Sequence, residues 1–355
     1  MKITIIGGGN IGTLMAAELA YKGHEVTIFT SRPKQWESKI DVYNAEEKLL
    51  LTGTVSNITA SMKKALEAAE YILITMPAQL FSDLAEKMLP FVHKNQKIGI
   101  VPGSGGAEFA FYKLLYKGCT LFGFQRVHSI ARLKKYGNSV YQLGRKSELQ
   151  IGAIPAFEAS KICKCITEFF DIPCVALDNY LAVTLTPSNS ILHTARLYSL
   201  FKNYKPGDTY PRNFLFYEEW TDDSSEVMLA CDTELQKLCD VIPLDLSSVK
   251  SLKNHYECTT INAMTKKIST IKAFRGLTSP MKKTEYGWVP DWDSRYFSTD
   301  FPYGLKIIKD IAKLFSMLTP NIDMVWNWYK KNTFQNTIDL IDTTLDTKEF
   351  IRIYK

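Results

Sequence analysis

The chain has 355 residues, 46% hydrophobic and 23% charged, with a formal net charge of +6, the profile of a globular protein long enough for two domains. The positive excess is spread out with no block of Lys or Arg, so a nucleic-acid partner is not indicated, and no run approaches the ~18 apolar residues of a membrane span. Seven scattered Cys point to reduced thiols in a cytoplasm, and Cys163 and Cys165 form only a C-x-C pair, so no metal site is expected.

Lys2–Ile6 is a short β-branched run, as in a strand buried in a parallel sheet, and leaves no room for a signal peptide before it. It stops at Gly7-Gly8-Gly9-Asn10-Ile11-Gly12, a GxGxxG turn. A helix follows to about Gly23, and Glu25–Phe29 reads as a second strand. In this context each glycine has a task. Gly7 makes the turn, Gly9 admits a pyrophosphate, and Gly12 lets helix pack on strand, while Asn10 and Ile11 open a helix whose free N–H groups face the phosphates. A dinucleotide site is expected. After the second strand comes Thr30-Ser31-Arg32, with no acid for ribose hydroxyls. Two hydroxyls and a guanidinium suit a 2′-phosphate, which favours NADP(H) over NAD(H); a solvated surface Arg is the alternative.

Ala45–Ser61 is polar and turn-rich, and Met62–Ala69 reads as a helix. The strand Tyr71–Thr75 ends at Pro77-Ala78-Gln79. In a doubly wound sheet that loop borders the ligand, so Pro77 and Ala78 are candidate cofactor contacts and Gln79 a candidate substrate contact; a plain Pro-terminated strand is the alternative. Helix Phe81–Leu89 and strand Lys97–Val101 lead to Pro102-Gly103-Ser104-Gly105-Gly106, where Gly103 suggests close approach to a ligand. A helix over Ala107–Tyr116, strand Thr120–Phe124, the basic stretch Arg126–Gly137 with Arg132, and strands at Val140–Leu143 and Leu149–Ala153 follow. Helix Ala156–Phe170 and strand Cys174–Leu177 complete a domain of residues 1–178.

Residues 179–355 read as mostly helical, with long periodicities at Glu218–Val241, Leu246–Ile271 and Gly304–Phe315 and a segment at Trp326–Tyr329. Phe274–Tyr303, rich in Gly, Pro and aromatics, is too long for a plain connection. The fold class is therefore α/β, a Rossmann-type dinucleotide-binding domain followed by a mostly α-helical domain, with substrate expected in a cleft between them. Of five histidines, His24, His93, His128 and His255 read as structural or solvated. In Thr186-Pro187-Ser188-Asn189-Ser190-Ile191-Leu192-His193, Thr186-Pro187 suggests a helix start that puts Asn189 and His193 on one face. Spacing alone slightly favours a buried structural histidine.

Three stretches resemble the opine dehydrogenases, the octopine/nopaline dehydrogenase family. They are the GxGxxG unit, Asn189-Ser190-Ile191-Leu192-His193 as N-x-x-x-H, and Arg295-Tyr296-Phe297-Ser298-Thr299-Asp300-Phe301-Pro302-Tyr303-Gly304-Leu305 as R-Y-x-x-x-D-x-P-Y-G-L. Phe216–Trp220 and Thr319–Asp323 also look like family stretches. Family members often carry proline after both the Asn and the His, where this chain has Ser190 and Thr194. The resemblance implies NAD(P)H-dependent reductive condensation of a pyruvate-like 2-oxo acid with an amino acid. It makes His193 the acid/base, Asp300 its partner, and Arg295 the carboxylate clamp, with Asn189 holding substrate or nicotinamide. Arg132 is a further substrate candidate, with an inter-domain ion pair as the equal alternative. Trp288 and Trp292 would wall the amino-acid pocket or fill a core. A homodimer is left open. The rivals are an NADPH-dependent 2-oxo acid reductase of the ketopantoate reductase type, whose catalytic Lys has no matching motif here, and a non-catalytic NADPH sensor.

Overall fold

The structure, a computed structural model, describes residues 1–333 and 339–355. The chain divides into two compact units, Met1–Thr184 with Phe350–Lys355, and Leu185–Glu349.

In the first unit the strands are β1 (Lys2–Ile6), β2 (Glu25–Phe29), β3 (Lys39–Tyr43), β4 (Leu49–Thr54), β5 (Asn57–Thr59), β6 (Tyr71–Ile74), β7 (Lys97–Ile100), β8 (Thr120–Phe124), β9 (Ser129–Lys135), β10 (Ser139–Arg145), β11 (Leu149–Ile154) and β12 (Cys174–Ala176). Its helices are α1 (Asn10–Tyr21), α2 (Met62–Leu66), α3 (Phe81–Met88), α4 (Ala107–Ala110), α5 (Tyr112–Leu115), α6 (Ala159–Phe170) and α7 (Leu181–Thr184). Eight strands form one sheet in the order β12-β11-β8-β7-β6-β1-β2-β5, parallel from β8 through β5, with β11 antiparallel to β8. The central runs are apolar at every position because both faces are covered, as in β6, where all four residues are buried. Helix α6 buries Ala159, Ile162, Cys163, Ile166, Phe169 and Phe170, the 3–4 spacing of one stripe, and stops at Asp171 in a left-handed conformation.

A second sheet, ordered β4-β3-β10-β9, lies over α1 and is where the sequence reading falls short. Of its four strands, only β10 carries a recognisable signal. The cause is visible in β4: its inward residue is Gly53, where a Cβ would stand 2.1 Å from the Ala17 carbonyl oxygen, so the buried face is bare backbone rather than an alternating apolar row. Covered on both sides, α1 buries eight consecutive residues from Gly12 to Leu19. Glu18 among them is held by His128 Nε2 at 2.7 Å and by Gln142 Nε2 at 2.8 Å. His128 is thus fully buried and structural rather than a surface residue.

The unit boundary falls at Thr184, six residues past the expected 178, because the α7 residues are all buried and the Tyr180 hydroxyl donates to the Gly103 carbonyl at 2.9 Å. The chain end also belongs to the first unit. Phe350 stacks on Phe109, and the Tyr354 hydroxyl donates to Glu108 at 3.1 Å. The expected helix over Ala107–Tyr116 is broken into α4 and α5, with Phe111 fully buried at the junction.

The second unit contains α8 (Asn189–Phe201), α9 (Asp222–Val241), α10 (Leu252–Tyr256), α11 (Ile261–Ser269), the hairpin β13 (Met281–Thr284) and β14 (Gly287–Pro290), α12 (Arg295–Ser298), α13 (Lys306–Leu314) and α14 (Pro320–Asn332). A further helix, α15 (Thr347–Arg352), runs across the unit boundary. Helix α9 begins at Asp222 rather than Glu218, where Thr221 Oγ1 caps it by accepting from Ser224 N. The helical stretch expected over Leu246–Ile271 is two short helices, each opened by a hydroxyl cap at Ser251 and Thr260. Helix α14 is started by a side chain from elsewhere: Glu234 of α9 accepts from Asn321 N at 2.8 Å and Ile322 N at 3.0 Å. Trp292, half-buried, lies in an aromatic cluster with Phe201, Tyr204, Phe297 and Trp328. Among the described residues no helix is long and apolar enough to cross a membrane.

Candidate active site

The glycine turn between β1 and α1 has the geometry of a dinucleotide cradle. Gly7 has φ +117°, open only to glycine, and a Cβ there would lie 2.7 Å from Thr75 Oγ1. A Cβ on Gly12 would fall 1.9 Å from the Gly7 carbonyl oxygen, so strand and helix meet through bare backbone. Gly9 faces open space, with no atom within 4 Å of its Cβ position, which leaves the start of α1 accessible to a bulky anion. Ile11 is half-buried in the first turn of α1. The Asn10 side chain has another task, accepting from Leu133 N of β9 at 2.9 Å, so its part in the cradle is played by backbone.

At the end of β2, Arg32 is exposed and its guanidinium lies 4.5 Å over the Tyr136 ring. Its backbone N–H donates to Thr30 Oγ1 at 3.3 Å, and Thr30 Oγ1 is 3.1 Å from the Tyr136 hydroxyl. Ser31 is exposed beside them. Burial pushes the Tyr136 phenol up, but its bond to Thr30 and the nearby Arg32 charge outweigh it, leaving the phenol below its usual range. Tyr136 carries no local sequence signal; it arrives by the pairing of β9 with β10.

Pro77 and Ala78 stand at the carboxyl end of β6, with Gln79 half-buried in the short turn Ala78–Leu80. Gly103 turns out differently from the sequence reading. It is buried, and a Cβ there would lie 2.5 Å from Gly123 Cα, so packing of backbone on backbone accounts for this glycine without a ligand. Arg132 is exposed on β9, with Nη1 donating to its neighbour Ala131's carbonyl at 2.9 Å.

In the second unit, α8 starts at Asn189, two residues beyond the expected proline start, and Asn189 is exposed at that end. One turn on, His193 is almost fully buried. Its Nδ1 is 2.8 Å from Asp300 Oδ2, and its Nε2 is 2.8 Å from the Tyr217 hydroxyl. A carboxylate only accepts, so Nδ1 carries a proton, and in the neutral ring Nε2 accepts from Tyr217. Tyr296 tilts against the imidazole at 4.8 Å between ring centres and Phe216 meets it edge-on at 5.4 Å.

Close packing brings the three residues together. Asp300 precedes a π-helical turn, Phe301–Leu305, in which Leu305 N donates to the Asp300 carbonyl at 3.0 Å. Phe301 of that turn stacks on Tyr329 at 4.3 Å, and Gly304 approaches Ser190 so closely that a Cβ would be 2.9 Å from the serine Cβ. Arg295, at the start of α12, is exposed, and its guanidinium has no hydrogen-bond or ion-pair partner among the described residues. Tyr217, the residue missed at sequence level, lies in the Phe216–Trp220 stretch, whose resemblance to the family was its only signal. Among the described residues no group of three His, Cys, Asp or Glu side chains is placed to hold a metal.

Comparison with known proteins agrees with this division. Residues 176–333 match the NAD/NADP octopine/nopaline dehydrogenase alpha-helical domain, and residues 2–130 match the NAD-dependent glycerol-3-phosphate dehydrogenase N-terminus. The opine dehydrogenase of Haliotis discus hannai is 28% identical over 93% of this chain and 90% of its own length. The octopine dehydrogenase of Mizuhopecten yessoensis is 24% identical over 98% and 94%. A solved structure of octopine dehydrogenase with NADH and L-arginine superposes with a TM-score of 0.82 at 23% identity, covering 93% of this chain and 89% of that one. With a pyridine-nucleotide fold in front and this helical domain behind it, the chain is similar along nearly its whole length to the octopine and opine dehydrogenases.

Proposed function

We propose that the chain is an NADPH-dependent opine dehydrogenase, which joins a pyruvate-like 2-oxo acid to the amino group of an amino acid and reduces the product to a secondary amine. The observation that carries this reading is the imidazole of His193 held at Nδ1 by Asp300, 2.8 Å away. The chemistry needs one group to move a proton in both directions. Neutral His193 takes a proton from the substrate ammonium, freeing the amine to attack the keto carbon. The resulting imidazolium, still hydrogen-bonded to the Asp300 carboxylate, returns that proton to the carbinolamine hydroxyl, which leaves as water. A nicotinamide cofactor, when bound, would supply the hydride for the C=N bond. The proton taken equals the proton returned, so His193 ends the cycle as it began.

Arg295, exposed and without a hydrogen-bond or ion-pair partner among the described residues, is suited to clamp a substrate carboxylate through two parallel hydrogen bonds, and Asn189 stands one helical turn from His193 on the same helix. Arg132 and Gln79 are proposed as further substrate contacts. Gly7, Gly9, Gly12 and the first N–H groups of α1 would hold the pyrophosphate, with Pro77 and Ala78 beside the nucleotide. Thr30, Ser31 and Arg32 would take the 2′-phosphate, with Tyr136 bracing the guanidinium from behind. The relatives' names speak for an amino acid as the amine donor, and L-arginine is the one bound in the octopine dehydrogenase structure.

The test is a matrix of 2-oxo acids against amino acids, followed by NADPH absorbance, with each active pair repeated without the amine. NADPH oxidation that requires both substrates is expected. An equal rate with the amine omitted would replace this reading with simple 2-oxo acid reduction.

A further inference from the structure

Both ring nitrogens of His193 are engaged: Nδ1 by Asp300 and Nε2 by Tyr217, each at 2.8 Å. An imidazole that is to exchange protons with a substrate needs one nitrogen facing it. Either the phenol swings away, or the phenol is itself the path. The surroundings of Tyr217 decide between these.

The Tyr217 ring is buried among aromatic rings. Phe274 stacks on it at 4.2 Å and Trp220 lies parallel at 6.3 Å, with Phe216 edge-on at 4.9 Å. Its backbone is pinned by Arg196, which sits one turn beyond His193 on α8 and is among the largest fully buried side chains. Arg196 Nε donates to the Phe216 carbonyl at 2.9 Å, Nη2 to the Glu219 carbonyl at 2.7 Å, and Nη1 to Ser224 Oγ at 3.1 Å. The guanidinium thus ties the carbonyls on either side of Tyr217 to the helix that carries His193. Burial draws the Arg196 pKa down to about 10, so it keeps its charge at neutral pH. A phenol fixed by two stacked rings and a buried guanidinium does not leave Nε2 cheaply.

From this geometry, and resting on the function proposed above, we infer that Tyr217 relays protons between His193 Nε2 and the substrate. When the carbinolamine expels its hydroxyl, the Tyr217 O–H proton passes to the departing oxygen while the Nε2 proton passes to the phenol oxygen. Water leaves, His193 becomes neutral and Tyr217 is unchanged. Ammonium deprotonation runs the same two transfers backwards. Arg196 is a positioning residue: it sets where the relay stands and touches no reacting atom.

The test is Tyr217→Phe, which keeps the stacked ring and removes only the hydroxyl. The thermal midpoint and NADPH affinity serve as controls for folding. The relay predicts a fall in kcat of about tenfold or more, within the scale of general acid–base effects, with KM for the amino acid little changed. It also predicts a curved proton inventory in mixed H2O and D2O for the native enzyme, from two protons in flight, that becomes linear in the variant. A kcat equal to or above the native value would show that the phenol is a removable latch or mere packing, and would overturn the relay. A linear inventory in the native enzyme would overturn it too. If the native protein turns over no pair of substrates, the functional reading itself fails and the relay falls with it, whereas an active native enzyme indifferent to Y217F removes the relay alone.

Discussion

The two halves of the machinery are built on opposite plans. The nucleotide cradle of the first unit is local and made of backbone: Gly7, Gly9 and Gly12 lie within six residues, and what matters is where a Cβ is missing. The His193 site of the second unit is made of side chains drawn from distant segments, with Tyr217 24 residues along the chain and Asp300 107 residues along. A backbone site is fixed by a turn and survives many changes around it. A side-chain site stands only while the packing that gathers it stands, here the Arg196 carbonyl clamp, the Phe301–Tyr329 stack and the Gly304–Ser190 contact. Nucleotide binding and proton transfer are therefore separable by mutation.

The sharpest separation comes from His193→Ala, for which turnover is expected to fall 100-fold or more while NADPH affinity, read by fluorescence titration, stays intact. A parallel loss of cofactor binding would break the contrast. The reverse result is expected of Gly12→Ala. A Cβ placed 1.9 Å from a backbone oxygen cannot be absorbed by a side-chain rotation, so a cost of about 3 kcal/mol, at the upper end for overpacking, should appear as lost NADPH binding and a lowered thermal midpoint.

Glu108 adds a pH effect confined to the first unit. Burial pushes its carboxyl up to about 7, above its ordinary 4.5, against bonds from Thr184 and Tyr354 that lower it. Between those two pH values the folded state holds the proton that the unfolded state has lost. Stability contributed by this group is thus full at low pH and falls as pH rises toward 7, by up to about 3 kcal/mol. Glu108→Gln should remove that slope in thermal melts from pH 5 to 8 (approximate window), while the same slope persisting in the variant would assign it to other groups. The smallest effect is expected of Arg32→Ala, a roughly tenfold loss of NADPH preference over NADH in kcat/KM, equivalent to about 1.4 kcal/mol. An unchanged ratio would leave Arg32 as a surface cation resting on Tyr136.

The same contrast explains what could be read in advance. The cradle was legible because GxGxxG is contiguous and each glycine answers a steric demand, and the helical stripe of α6 follows directly from its spacing. Gly103 is ambiguous because a glycine that admits another strand's backbone looks, in sequence, like one that admits a ligand. The β4 strand hid because Gly53 replaced the apolar row that would have announced it. His193 and Asp300 were legible only through resemblance, since nothing in local spacing says that residues 107 apart will meet. Tyr217 carried only the signal of the Phe216–Trp220 resemblance, and Arg196 carried none, because an Arg satisfied by carbonyls leaves no charge pattern in the sequence.

Amine-dependent hydride transfer is tested most directly by supplying NADPH deuterated at both nicotinamide C4 positions, together with pyruvate and an amino acid mixture, and locating the label in the products. Condensation predicts deuterium on the carbon that bears the new C–N bond of a secondary amine, and its loss in His193→Ala. Deuterium found only in the 2-hydroxy acid would contradict it.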